Sequence, residues 1–173
     1  MSSKNERISL LQYIFDNVTG WLHFAEAKNA AIIAFNIALM AAIFSSDFLQ
    51  QCIFIFCILA ILLTGSIAIS LWSFIPINSP LPKSKTSSSI PPNLIHFAYL
   101  AGLDCGECLE QLYINYWETP QPNPNDFTAI EKDYCNEIIQ NSRITLRKQN
   151  FFKNGLIVDF ISLVVLVICV ICA

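Results

Sequence analysis

Charge is scarce in this 173-residue sequence: 13% of the residues are Asp, Glu, Lys or Arg, against 54% hydrophobic, and the mean hydropathy is positive. That balance lies outside the range of an ordinary soluble domain and marks a membrane protein. With a formal net charge of −3 and no basic tail, the chain gives no reason to expect nucleic acid as a partner. Glycine is equally sparse, five in all, and none forms a phosphate-cradling loop. The two histidines, His23 and His96, stand outside any Gly-x-Ser-x-Gly or comparable nucleophile context, and the acids do not cluster, so no catalytic residues and no cofactor are expected. In "DCGECLEQL" Cys105 and Cys108 have metal-ligand spacing with His96 nearby, but no second such pair completes a four-ligand zinc site, so no metal is expected. Of the other cysteines, Cys52, Cys57, Cys169 and Cys172 fall in apolar segments and Cys135 in a polar one, which implies no disulfide framework. The opening "MSSKNERISLLQYIFDNVTG" has no continuous apolar core or small-residue cleavage site, so the N-terminus is expected to be retained.

Long apolar runs are what the chain does have. Three segments approach the roughly 20 residues that cover about 30 Å of hydrocarbon: about 28–44, 49–75 and 155–173. The second carries no charge, places Trp72 at an interfacial depth and is closed by Pro76. The third has one acid, Asp159, near its start. The first is short and holds Asn36 at its centre, so it reads either as a span or as a buried helix of a small domain. The turn at "SSDF" favours a tight transmembrane hairpin of the first two segments. All ten Lys and Arg residues lie outside that turn and before the last span. The positive-inside rule then sets the N-terminus in the cytoplasm, Ser45–Phe48 outside and the middle of the chain inside.

The fold class expected is therefore an all-α membrane protein: a two-helix transmembrane hairpin, a cytosolic helical module, and a C-terminal transmembrane helix continuous with a long cytosolic helix. Residues 1–27 form a cytosolic amphipathic helix with an apolar stripe at Ile8, Leu11, Phe15, Val18, Leu22 and Ala25. Residues 28–75 form the hairpin, and 76–92, rich in Ser and Pro, a flexible linker too polar to bury a core. Residues 93–153 form the helical module, with Asn93 capping a helix through about Gly102, Asp104 and Glu107 starting another through about Trp117, and Thr128-x-x-Glu131 forming a capping box. Residues 154–173 are the third span, and nothing except Gly155 interrupts the helix that leads into it, a rod of about 45 residues. The helices of the middle region either make a compact bundle or lie on the inner leaflet.

Three stretches, "WLHFAEAKNAAIIAFN", "PPNLIHFAYLA" and "NSRITLRKQNFFKNGL", resemble in order and spacing the transmembrane effectors of the Pycsar antiphage systems, over most of residues 10–173. In that family an acidic residue-x-Lys pair heads the first span, an Asn-x-x-x-Phe segment follows the second, and a basic helix with a Lys feeds the third. Here Glu26 stands where aspartate is the more frequent acid, which keeps the charge. The resemblance implies a bacterial inner-membrane protein without enzymatic activity. It would answer a cyclic pyrimidine nucleotide such as cCMP or cUMP, made by a partner cyclase, then disrupt the membrane and kill the infected cell by abortive infection.

Under that reading Arg143 and Arg147, four apart on one helix face, and Lys148 are the candidates to hold the cyclic phosphate, with Phe97, Tyr99, Tyr113, Tyr116 and Trp117 available to stack a base. The bland alternative assigns the basic residues to the positive-inside rule and the aromatics to a core. Glu26 and Lys28 lie about 200° apart around a helix and must find different partners. Lys28 suits headgroup phosphates and Glu26 a base such as Arg143 or Arg147, or the two form a gating junction between sensor and span. Asn36 and Asp159 are the intramembrane polar residues, and each needs a partner or water. Three spans are too few to enclose a wide aqueous path, so a homo-oligomer acting on the lipid bilayer is expected. A function of another class, a membrane-anchored scaffold whose helical bundle recruits a protein, fits the same composition.

Overall fold

The computed structural model describes residues 4–46, 53–77, 79–85 and 91–171, all helix, turn or irregular chain with no strand among them. Helix α1 spans Lys4–Phe44, α2 Ile53–Trp72, α3 Phe97–Leu100, α4 Cys105–Asn115 and α5 Ala129–Ile171, with a 3₁₀ turn at Pro124–Asp126. Asp47 and Phe48 of the expected hairpin turn, Cys52, Cys172, and residues 78 and 86–90 of the linker lie outside the described residues. The chain divides into two compact units: one of residues up to Phe24 with Ile77–Arg147, the other of Ala25–Pro76 with the chain from Lys148. By sequence, α1 and α5 each contribute their first part to one unit and their second part to the other.

The long helices follow from the absence of breakers and from a sustained heptad-like stripe. In α1, Leu11, Ile14, Val18, Ala25, Asn29, Ile32, Asn36 and Ile43 are buried, steps of three, four and seven that keep one line along the helix. Ile14 rather than Phe15 takes the inward position. The α5 stripe runs through Glu131, Cys135, Ile138, Ser142, Thr145, Lys148, Gly155, Asp159, Ser162 and Cys169, and the helix is unbroken over 43 residues, about 65 Å at 1.5 Å rise. Gly155 does not interrupt it.

The unit containing the start of α1 has an apolar core of Leu11, Ile14, Val18, Phe97, Leu100, Leu109, Leu112 and Ile138, closed by Tyr113, Trp117 and Phe127. Both expected local starts of α4 and α5 are present. The Asp104 N–H donates to Glu107 Oε2 at 2.9 Å, and Thr128 and Glu131 bond reciprocally, Thr128 N–H to Glu131 Oε2 at 2.8 Å and Glu131 N–H to Thr128 Oγ1 at 3.4 Å. Asn93 does not cap a helix through Gly102. Its Oδ1 accepts from the Ile95 N–H in a turn, His96 Nδ1 accepts from the Ala98 N–H, and the helix is the single turn α3. The α4 helix stops at Asn115, and Glu118 takes φ 51°, a left-handed residue that lets the Thr119 N–H reach the Tyr113 carbonyl.

Candidate functional site

Around α4 and the first part of α5 the polar side chains tie segments together. Glu131 is 1% exposed, yet it forms an ion pair with Arg7, Nε to Oε1 2.9 Å, and accepts from the Tyr113 hydroxyl at 3.3 Å as well as from Thr128. The Arg7 guanidinium also sits 5.3 Å above the Tyr113 ring. A buried carboxylate is tolerable only when paired and hydrogen-bonded, and here one acid answers two helix starts and a ring hydroxyl at once.

Arg143 is a clamp on backbone. Its guanidinium donates to the Leu81, Leu103 and Ala101 carbonyls at 2.6, 2.8 and 3.2 Å and meets the Asp104 carboxylate at 3.4 Å, with the side chain only 9% exposed. Gln140 accepts from the Leu81 N–H, Ala101 O from the Ser84 N–H, and Lys83 bridges Asp104 and Glu107. The described part of the expected flexible linker is thus docked at Leu81–Ser84, because its backbone groups find partners even though its side chains build no core. The Asp104 and Lys83 hydrogen bond and charge hold the Asp104 carboxyl below its ordinary value and the Lys83 ammonium above its own; both side chains are exposed, and the pair adds little stability.

Among the aromatic candidates, Phe97, Tyr113 and Trp117 are core residues. Tyr99 is half-buried and donates to Gln111 Oε1 at 2.9 Å. Tyr116 is 45% exposed and lines a cleft of about 540 Å³ with Asn93, Ile95, Gln111 and Asn115.

The other unit is built inside out for water. Ile53, Phe54, Ile61, Phe160, Val167 and Val170 are exposed, while its buried face carries Asn29, Asn36, Ser66, Ser70, Ser73, Asp159 and Ser162. In lipid that inversion is the stable arrangement, since hydrocarbon wets the apolar faces and polar groups must find each other. Asn36 Nδ2 donates to Ser66 Oγ at 3.0 Å, and Ser66 Oγ donates to the Gly155 carbonyl at 3.2 Å, a relay through α1, α2 and α5. Gly155 permits the approach: a Cβ there would lie 3.1 Å from Ser70 Oγ and 3.5 Å from Ser66 Oγ. Asn29 Nδ2 bonds the carbonyls of Ala25 and Lys148 at 2.9 and 3.2 Å. Asn29 Oδ1, Asn36 Oδ1, Ser70 Oγ and Asp159 Oδ1 are buried without a hydrogen-bond partner among the described residues. One end of this unit is apolar, with Ile43, Leu59, Leu63 and Cys169 packed together.

Charge gathers around Lys148, whose Nζ lies 2.9 Å from Glu26 and 5.2 Å over the Phe74 ring. Glu26 thus meets Lys148, while Arg143 is engaged by carbonyls. Lys28 stands 5.2 Å over Phe152, so the two charges of the Glu-x-Lys pair do turn to different residues. Lys28 and Asp159 line one apolar groove of about 570 Å³ with Phe35, Phe152 and Phe160. Of the seven candidate residues, Glu26 and Lys148 are brought together; Arg143 and Arg147 belong to one unit and Lys148 to the other. Sequence reasoning missed Asn29, Ser66 and Ser70, and read Glu131 only as a capping residue. The four-residue step from Ser66 to Ser70 in an apolar run, and the seven-residue step from Asn29 to Asn36, were the available signals. Among the described residues no three His, Cys, Asp or Glu side chains are disposed to hold a metal ion.

An all-helical chain with three helices long and apolar enough to cross a membrane, and a polar seam on their inward faces, defines a helical membrane protein. The family described as PycTM, Pycsar effector protein domain, matches residues 10–173, and the chain belongs to it. Membership makes it an effector of antiphage defence, and the family is a non-catalytic effector type. Comparison with curated proteins and with solved structures found no match.

Proposed function

We propose that the protein is the membrane-disrupting arm of a Pycsar system: a cyclic pyrimidine nucleotide made by a partner cyclase binds it, and it then permeabilises the bacterial inner membrane. The single observation that carries this reading is the incomplete seam. Four buried oxygens at Asn29, Asn36, Ser70 and Asp159 lack partners among the described residues, in a unit whose outer faces are apolar. An unsatisfied polar group in hydrocarbon costs several kcal/mol, so the seam gains from any rearrangement or neighbouring copy that brings it water or donors. The family supports the signal, and α1 and α5 each contribute residues to both units.

The nucleotide's base fits best in the cleft of Asn93, Gln111, Asn115 and Tyr116, where amides can pair a pyrimidine edge and an exposed ring can stack it. Arg143 is better suited to holding Leu81 and Ala101 than to a phosphate. The distribution of Lys and Arg supports a cytoplasmic N-terminus.

Purified protein in liposomes loaded with a self-quenched dye tests the reading, with cCMP, cUMP, cAMP and cGMP added singly. Leakage with one pyrimidine nucleotide and none with the purine pair is expected. No leakage with any of the four, from protein that titration calorimetry also shows to bind none, sinks the proposal in favour of a scaffold.

A further inference from the structure

Cys105 opens α4 half-buried, while Cys108, one turn on, and Cys135, on α5, are 1% and 0% exposed. The contacts between the segments are reciprocal. Cys135 Sγ lies 3.6 Å from the Cys105 carbonyl oxygen and Cys105 Sγ lies 3.7 Å from that of Lys132, one turn before Cys135. The Cys135 thiol also faces those of Cys105 and Cys108.

Only a thiolate attacks an electrophile, and this cluster makes one. The hydrogen bond from Cys135 brings the Cys105 thiol down to about 7, with the Lys132 ammonium assisting against burial and the Asp104 and Asp133 carboxylates. The position at the start of α4 works the same way. The same thiol contacts, with burial, push Cys135 up, so it stays protonated beside the reactive sulfur. An accessible low-pKa thiol with a second thiol against it is the arrangement of an attacking and a resolving cysteine.

We propose that Cys105 and Cys135 form a peroxide-responsive dithiol that closes to a disulfide between α4 and α5. The Cys105 thiolate attacks one peroxide oxygen, the O–O bond breaks, and hydroxide leaves and takes up a proton to become water. As the Cys135 proton passes to the oxygen of the resulting sulfenic acid, the Cys135 sulfur becomes a thiolate and attacks the Cys105 sulfur. An S–S bond forms, the S–O bond breaks, and the departing hydroxide carries the Cys135 proton away as a second water. Two thiols lose two electrons and one hydrogen peroxide gains them. The bond staples the residue after Asp104, and with it the docking point of Lys83 and Arg143, to the second turn of α5.

Detergent-purified full-length protein treated with hydrogen peroxide and digested without reductant tests this by mass spectrometry. A Cys105–Cys135 peptide is expected as the main crosslink in the wild type and in Cys108→Ser. In Cys135→Ser, dimedone should trap a Cys105 sulfenic acid several-fold more than in the wild type. With iodoacetamide, Cys105 should react at pH 7 several-fold faster than glutathione, with a midpoint near 7. A Cys105–Cys108 bond as the main wild-type product, or Cys105 alkylated no faster than glutathione, overturns the proposal, and neither readout depends on a variant's folding.

Discussion

Lys148 Nζ lies 2.9 Å from Glu26 Oε1, joining α5 to α1 across 122 residues of sequence. The lysine is 11% exposed and the acid 37%, so the pair is partly wet at one side and closed at the other. Asn29, one turn further along α1, bonds the carbonyl of the same lysine, which fixes the register of the two helices by two independent contacts.

Removing one member leaves the lysine closed in without its counter-charge, although the Phe74 ring still faces it. Glu26→Gln is therefore expected to lower stability in detergent by about 1–3 kcal/mol, and the cycle with Lys148→Met to show coupling of about 0.5–3 kcal/mol. Thermal unfolding of the four proteins measures it. Additive losses would mean that the two side chains stabilise separately.

Arg143 is predicted to be structural. Three carbonyls demand a planar fork, which lysine does not have, so Arg143→Lys should cost nearly as much as Arg143→Ala, about 2–4 kcal/mol given roughly 1.5–3 kcal/mol per hydrogen bond to a charged group. Hydrogen exchange at the Ser84 amide, held by Ala101 O, should speed up in both. Unchanged exchange there would show that the strap is held by Gln140 and Lys83 alone.

Glu131 offers a sharper contrast, since its carboxylate is sealed and holds Arg7, Tyr113 and Thr128. Glu131→Gln keeps the shape but removes the charge and one acceptor, with an expected loss of about 3–5 kcal/mol. Denaturant titration of the variant reads it, and a loss within 0.5 kcal/mol, the level of roughly neutral surface changes, would be inconsistent with a desolvated pair.

Local signals were legible in the sequence where their partners were three or four residues away. Thr128 and Glu131 cap α5 as their spacing requires, Asp104 and Glu107 start α4, and the unbroken rod through Gly155 follows from the lack of any proline after Pro124. The identity of a distant partner was not legible. Nothing near Glu26 in sequence points to Lys148, and the carbonyls that engage Arg143 carry no side-chain signature at all. Asn36 could be recognised as costly in hydrocarbon, but its acceptor, Ser66, lies on another helix and is one of two serines in α2.

The basic residues favour a cytoplasmic N-terminus, an orientation that can be tested on described positions. On a cysteine-free background, Ser45→Cys should be labelled by an impermeant maleimide in intact bacterial cells and Lys85→Cys only after the envelope is opened. Labelling of position 85 in intact cells would reverse the topology and remove a cytosolic nucleotide from reach.

The seam makes the most specific functional prediction. Asn36→Leu removes the donor to Ser66 and an unpartnered oxygen together, and Leu suits hydrocarbon, so insertion should be preserved and the resting unit stabilised. A single interhelical hydrogen bond in a membrane contributes only about 0.6 kcal/mol on average, less than the cost of the orphaned oxygen it accompanies. Ligand-induced dye leakage should therefore fall several-fold in Asn36→Leu, and again in Asp159→Leu. Ser66→Ala, which breaks the relay but leaves Asn36 polar and now wholly unpaired, should leak at lower ligand concentration than the wild type. Equal leakage from all four proteins, each inserted to the same extent, would place the lesion outside this seam and assign the buried polar residues to helix packing alone.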